Sequence, residues 1–485
     1  MNVSDLLPLL PWIITAATAV VVMLAVALRR NHALAAVLAL AGLAAALIAL
    51  VVGPKDVRHV TALLVIDGYA RFYAGLILAA SLALTLLSYG YLQRRQVMRE
   101  EFYILLLLAT TGAEVLAASS HFASFFLGLE LLSVSLYALV AYPREPLVSI
   151  EAGVKYLVLA GASSAFLLFG MALVYTEAGT MGFSDLASKA AAGGPAGTLV
   201  KTGVGMIIVA VGFKLALVPF HLWTPDVYQG APAPVAGFVA SVSKGAMFAL
   251  LLRYFTAANL YRYDSLLIAL TAIAVLSMFT GNLLALLQKN VKRILAYSSI
   301  AHLGYLLVAF LASGNLAATA VTYYLVAYFV TIIGAFGVVA VLSGPHRDAE
   351  DIEEYRGLVW RRPGVAAVFT AMLLSLAGIP LTAGFVGKFF VLAAGVGGNL
   401  WMLTVILVIN SAIGLFYYLR IIVAIFRPPA EAQKAPAPEP SAAGPSHSLP
   451  AGVTLAGLTL ALVWLGVYPD PMIRAIRAAV AALFP

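Results

Sequence analysis

The sequence predicts an all-α integral membrane protein, on three observations. Of 485 residues, 63% are hydrophobic and only 10% charged, too little charge to clothe a water-soluble surface of this size. Apolar runs of about 20 residues, the length that crosses a bilayer as a helix, recur from end to end. The runs are continuous and lack period-2 alternation, so the backbone closes its hydrogen bonds inside helices and not in a barrel.

The pattern gives about 14 transmembrane spans: 6–28, 33–53, 72–92, 102–119, 121–142, 152–176, 202–222, 233–256, 264–287, 293–313, 317–343, 364–395, 400–426 and 450–469. The first run, Leu6 to Leu28, lacks a basic flank and an A-x-A cleavage site and reads as a retained span. Pro428 to Leu449, rich in Ala, Pro, Glu and Ser, reads as a flexible cytoplasmic loop. Pro471 to Phe484 reads as short and amphipathic, with Arg474 and Arg477 on one side. No soluble domain fits between any two spans. Seventeen Lys and Arg fall in one set of loops, Arg94, Arg95, Arg144, Lys292 and Lys434 among them. Nine fall in the other, including Lys55 and Arg253. The basic set is expected in the cytoplasm, with both termini outside at the cell membrane.

Composition also excludes functions. Without cysteine there is no disulfide, iron–sulfur cluster or thiolate zinc site. No P-loop, GxGxxG turn or HExxH motif is present. The net charge of +8 and pI near 9.4 fit basic loops at a membrane surface and no nucleic-acid partner.

Four charged residues, Lys214, Lys244, Lys388 and Glu130, stand out inside predicted spans. Charges at that depth cost free energy, so they face the bundle interior and seek partners. Glu130 lies mid-span in HFASFFLGLELLSVSLYALV, with Ser133 and Tyr137 at i+3 and i+7 as a polar stripe. Lys214 lies in GFKLALVPFHLWTPDVYQGAPAP. There Pro219 removes a helix hydrogen bond, and His221, seven residues on, is expected on the lysine's face. Lys244 in GFVASVSKGAMFALLLR follows a small, polar face of Gly237 and Ser241. His302 in ILAYSSIAHLGYLL has Ser298 at i−4 and Tyr305 at i+3. Lys388 in SLAGIPLTAGFVGKFFVL follows Pro380, Gly378, Gly384 and Gly387, which mark a second interrupted helix. A snorkelling lysine, or a carboxylate that only holds helices together, is the plainer reading of each charge.

Interrupted helices at spans 7 and 12, each with a lysine near the break, suggest two inverted five-helix repeats, spans 4–8 and 9–13. The expected divisions are a three-span segment at 1–100, repeats at 101–257 and 258–427, the loop at 428–449, and a last span with its amphipathic stretch at 450–485. A desolvated lysine gives up its proton readily and keeps it beside a carboxylate. Glu130 beside Lys214, then Lys244, His302, internal water and Lys388, therefore form an expected row of coupled proton sites.

Four of these segments, HFASFFLGLELLSVSLYAL, GFKLALVPFHLWTPDVYQGAPAPVAGFVASVSKGA, QKNVKRILAYSSIAHLGYLL and AGIPLTAGFVGKFF, together resemble the antiporter-like membrane subunits of respiratory complex I. That family also holds the large Mrp-type sodium/proton antiporter subunits. The resemblance spans roughly residues 60 to 427. Lys388, where the M type resembles it with a glutamate, and the lack of room for a long lateral helix of the L type, favour subunit N. The resemblance implies Glu130 and Lys214 as input pair, Lys244 as connecting lysine, His302 in the central axis and Lys388 as output. It implies no cofactor in this chain. FMN, iron–sulfur clusters, NADH and quinone would sit in partner subunits of NADH:quinone oxidoreductase, beside the M subunit and the small membrane subunits. One departure falls in span 11, where Thr331 in VTIIGAFGVV replaces an asparagine-bearing stretch. Three readings compete: a proton-pumping complex I subunit, a cation/proton antiporter subunit and an inert scaffold. A buried set with three lysines to one acid disfavours a sodium cage.

Overall fold

The computed structural model describes residues 6–54, 57–95, 98–143, 147–192, 197–428 and 449–484. Lys55, Arg144, Lys434 and nearly all of the 428–449 loop lie outside the described residues. Helices α1 (Leu10–Leu28) and α2 (His32–Val52) lead to a two-stranded hairpin, β1 (Arg58–Val60) and β2 (Leu64–Ile66). Next come α3 (Gly68–Gln93), α4 (Glu101–Ala118), α5 (Phe122–Val140) and α6 (Leu147–Ala178). A short helix, Phe183–Ala192, precedes α7 (Thr198–Leu215) and α8 (Trp223–Gly230). Then follow α9 (Ala233–Ala257), α10 (Asp264–Leu286), α11 (Val291–Ala312) and α12 (Gly314–Leu342). The chain closes with α13 (Pro363–Ala377), α14 (Ala383–Gly397), α15 (Trp401–Phe426), α16 (Leu449–Val467) and α17 (Asp470–Val480).

Among the described residues, 13 helices are long and apolar enough to cross a membrane, and α13 and α14 are two shorter apolar helices in succession. Three corrections to the sequence reading follow. Span 6 begins earlier, at Leu147. Span 7 stops at Leu215 instead of reaching 222, because the chain turns before Pro219. The hairpin and the short helix at Phe183–Ala192 lie in stretches read as plain loops.

Polar caps start the helices. The side chains of Asn31, Asp67, Asn290 and Thr382 each accept a backbone N–H of the helix that follows, which satisfies a donor the helix leaves open. The two breaks are made differently from caps. At the end of α7, Ala216 turns left-handed at φ 61°. Val218 N–H, released from the helix, donates to Ser277 Oγ on α10 at 2.9 Å, and Trp223 Nε1 donates to Phe213 O at 2.9 Å. At the end of α13, Gly378 takes φ 84°, and Ile379 N–H returns to Leu374 O at 3.0 Å, a glycine-closed helix end. At both breaks freed backbone groups thus find partners within the protein, the condition for irregular backbone at membrane depth.

The centre of the bundle is α9, α11 and α12. Their most apolar stretches are 100%, 94% and 89% buried, against 28% for the peripheral α6 and α16. Helix α12 is the hub and packs against α3, α9, α11, α13, α14, α16 and α17. Helix α17 lays Ile473, Ile476 and Val480 inward, with Arg474 outside.

A buried charge cluster sits near each end. Arg253 donates to both oxygens of Asp67 at 2.8 Å, and Asp67 also caps α3 through Ala70 N–H at 2.7 Å. At the opposite, basic end, Asp348 accepts from Arg95 at 2.5 Å and Lys292 at 2.7 Å. Burial works to raise the Asp348 pKa, but Lys292 and Arg95 hold it below the ordinary carboxylate value. Arg95, Arg253 and Lys292, which the sequence assigned to loops, are therefore buried ion-pair partners.

The Asp67–Arg253 pair predicts a stability effect. Asp67→Asn strands a buried guanidinium, a loss of ~3 kcal/mol or more. Thermal unfolding of the purified protein in detergent should show a clearly lowered midpoint; an unchanged midpoint would show that the pair holds nothing together.

Candidate functional site

Each of the three span lysines meets the same two partners: a serine hydroxyl and a tyrosine ring. Lys214, in the last turn of α7, donates to Ser133 Oγ on α5 at 2.9 Å and to Tyr156 OH on α6 at 3.1 Å, and lies 5.5 Å from the Tyr156 ring centre. Lys244 on α9 donates to Ser299 Oγ on α11 at 2.7 Å, 5.4 Å from the Tyr228 ring. Lys388 on α14 donates to Ser411 Oγ on α15 and to Ala377 O, both at 2.8 Å, 5.4 Å from the Tyr305 ring. The lysines are 3%, 1% and 7% exposed, so none snorkels to the surface. A ring face and a hydroxyl solvate an ammonium without fixing it as a carboxylate would.

Lys388 gains its second oxygen from the break itself. Ala377 is the last residue of α13, whose terminal carbonyls have no helical partner. Lys214 does not use its break this way, because Trp223 already takes the Phe213 carbonyl. Just before Lys244, Val239–Ser243 forms a π-helical turn, which widens the helix where the lysine leaves it.

His302 on α11 stands between the second and third lysines. Its Nδ1 shares a hydrogen bond with Tyr324 OH at 2.8 Å, and its Nε2 one with Tyr418 OH at 3.1 Å. Tyr418 also shares a 2.5 Å bond with Ser298. From His302 a small cavity reaches Lys388, lined also by Tyr324, Tyr328, Thr331, Ser375 and Gly384. Among the described residues the Tyr328 hydroxyl has no partner, so a single water in this space would find a polar group to bond. Thr331 donates to Ala327 O and meets Ser375 Oγ at 3.1 Å; it lines the cavity in place of the amide.

Two expectations need correction. Among the described residues Glu130 makes no ion pair with Lys214. Half-buried on α5, it accepts from Ser164 Oγ on α6 at 2.5 Å, while Lys214 is satisfied one turn away at Ser133. His221 does not share a helix face with Lys214, because α7 has ended between them; its Nδ1 is buried without a partner. The other supporting residues do lie at the site. Tyr137 packs edge-on against Tyr156 at 5.2 Å, and Tyr305 OH accepts from Asn282 at 2.9 Å. The sequence missed Tyr156, Tyr228, Ser299, Tyr324, Ser411 and Tyr418. No cluster of three or more His, Cys, Asp or Glu side chains that could hold a metal occurs among the described residues.

Residues 119–414 match the family described as NADH:quinone oxidoreductase/Mrp antiporter, transmembrane. The chain belongs to that family. Within this NADH:quinone oxidoreductase/Mrp antiporter family, it is 51% identical to NADH-quinone oxidoreductase subunit N of Ectopseudomonas mendocina (strain ymp), over 99% of this chain and 98% of that one. Respiratory complex I from Thermus thermophilus with bound aureothin contains a chain of the same fold. Its TM-score is 0.81 at 32% identity, over 96% of this chain and 99% of that one. A chain of the Mrp complex from Dietzia sp. DQ12-45-1b shares the fold at TM-score 0.86 and 21% identity, over 100% and 98% of the two chains. The all-α membrane architecture expected from the sequence is thus that of this family.

The second break gives a sharp test of the Lys388 site. A Cβ on Gly378 would stand 2.7 Å from the lysine's Cδ, at a φ that L side chains rarely adopt. Gly378→Ala should displace Lys388 and cut proton transport in reconstituted vesicles, while Gly205→Ala, which meets nothing within 4 Å, should not. Equal transport in both variants would contradict this geometry.

Proposed function

We propose that this chain is a subunit-N-type proton-translocating membrane subunit of an NADH:quinone oxidoreductase. It would carry no redox centre of its own and be driven by electron transfer in partner subunits. The observation that carries the reading is the file of three buried lysines, each held by neutral oxygens and a ring, with no carboxylate in ion-pair contact among the described residues. Such amines can hold or release a proton without breaking an ion pair. The relay would run from Glu130 through Lys214, Lys244 and His302 to Lys388, across the cavity beside Tyr328. Ser133, Tyr137, Ser298 and Tyr305 would order the path, and His221 would line it near the first break. Residues 101–257 and 258–427 would be the two halves that this path joins. The M subunit and the small membrane subunits would abut the chain. The basic end would face the cytoplasm and both termini the outside of a bacterial cell membrane.

The relay is tested in the assembled complex, reconstituted in vesicles, by protons moved per NADH oxidised. Lys214→Met, Lys244→Met or Lys388→Met should each slow acidification about tenfold or more, the effect of a barrier ~1.4 kcal/mol higher. Unchanged pumping in any one of them would reject the relay as drawn, and pumping that requires sodium would move the reading to Mrp-type exchange. Orientation has its own test, because the chain has no cysteine to interfere. In intact cells a membrane-impermeant maleimide should label Thr180→Cys and not Glu353→Cys; the reverse pattern would invert the topology.

A further inference from the structure

Lys292 is the most completely bonded buried lysine of the molecule's described part, and the relay does not use it. It begins α11 and is 1% exposed. Its ammonium donates to Gln229 O, Ala231 O and Asp348 Oδ2, each at 2.7 Å. These use all three of its hydrogens. The two carbonyls flank Gly230, where α8 ends and α9 begins. Asp348, in the loop after α12, also accepts from Tyr91 OH at 2.8 Å and Arg95 at 2.5 Å, both near the end of α3. One charge cluster thus ties α3, the α12 exit loop and α11 to the α8–α9 junction.

That junction adjoins the Lys244 site. Tyr228, whose ring faces the Lys244 ammonium, immediately precedes Gln229. Ser299, which holds Lys244, lies seven residues after Lys292, on the same face of α11. Lys292 stands about 10 Å along the helix from Ser299, so it shapes the site without touching it.

We propose that Lys292 and Asp348 form a clamp that positions the α8–α9 junction, and through it sets Tyr228 and Ser299 around Lys244. Lys292 is a positioning residue: its ammonium pairs with Asp348 at 2.7 Å and with Glu350 at 3.5 Å, and its grip is on backbone that no helix ladder holds. The proposal rests on the relay reading, since it assigns the clamp to the middle lysine of that path.

The test is protons moved per NADH in the assembled complex in vesicles. Lys292→Met should lower the ratio several-fold, and Lys292→Arg, which can still reach the carbonyls as a cation, should restore most of it. Acting through Lys244, the clamp should be non-additive with Ser299→Ala: the double variant should lose clearly less than the product of the single losses. A wild-type ratio in Lys292→Met, or losses that multiply, would overturn the proposal. Tyr91→Phe removes a single donor to Asp348 at nearly constant volume and takes the place of Lys292→Met in the cycle if that variant does not assemble. Lys244→Met separates the two claims. If it pumps normally, the relay reading fails; if it is defective while Lys292→Met is normal, only the clamp fails.

Discussion

An ammonium group has three hydrogens to hand over, and lipid tails accept none of them. Four lysines of this chain face that constraint inside the protein, and the way each finds oxygen organises the interior. Lys292 takes two carbonyls and a carboxylate, which ties three segments of backbone to one ammonium. Lys214, Lys244 and Lys388 take hydroxyls, one carbonyl and the faces of tyrosines. The same residue type therefore meets two environments, and the difference lies in whether a carboxylate is bonded to the ammonium. A buried pair with complete hydrogen bonding fixes a conformation, whereas a buried amine among neutral oxygens is poised to change its charge.

The interrupted helices answer the same need for oxygen in two ways. At the α13–α14 break a glycine closes the helix and leaves the Ala377 carbonyl for Lys388. At the α7–α8 break the open groups are claimed by Trp223 and Ser277, and the lysine before the break turns to hydroxyls on α5 and α6. Two breaks can each have a lysine nearby and still solvate it differently, because the neighbours that pack against each break differ. The π-helical turn in α9 is a third local departure from regular helix, and it too ends at a lysine.

Much of this was legible in the sequence because charge is rare there. Lys214, Lys244, Lys388 and Glu130 stand out in long apolar runs, and Pro219 and Pro380 announce the breaks; Glu114, fully buried on α4, was passed over. Their partners do not stand out. Tyr156, Ser299 and Ser411 are 58, 55 and 23 positions from the lysines they meet, and serine and tyrosine are common in such helices. Only packing selects among them. The placement of His221 on the Lys214 face assumed a continuous helix, and a left-handed Ala216 removes that assumption. Pairing Glu130 with Lys214 assumed that opposite charges meet. Ser164 and Ser133 instead satisfy the two groups separately. The VASVS turn of α9 carries no residue that marks it, since the extra residue in a π-turn is a matter of backbone register.

The path as a whole depends on the space between His302 and Lys388, where no direct side-chain bond bridges the two. A density map of the assembled complex, resolved finely enough to show ordered water, tests it most directly. The expected result is water in the cavity, hydrogen-bonded to the Tyr328 hydroxyl and linking His302 to the Lys388 ammonium. A dry cavity closed by side-chain packing, with Tyr328 bonded elsewhere, would contradict it.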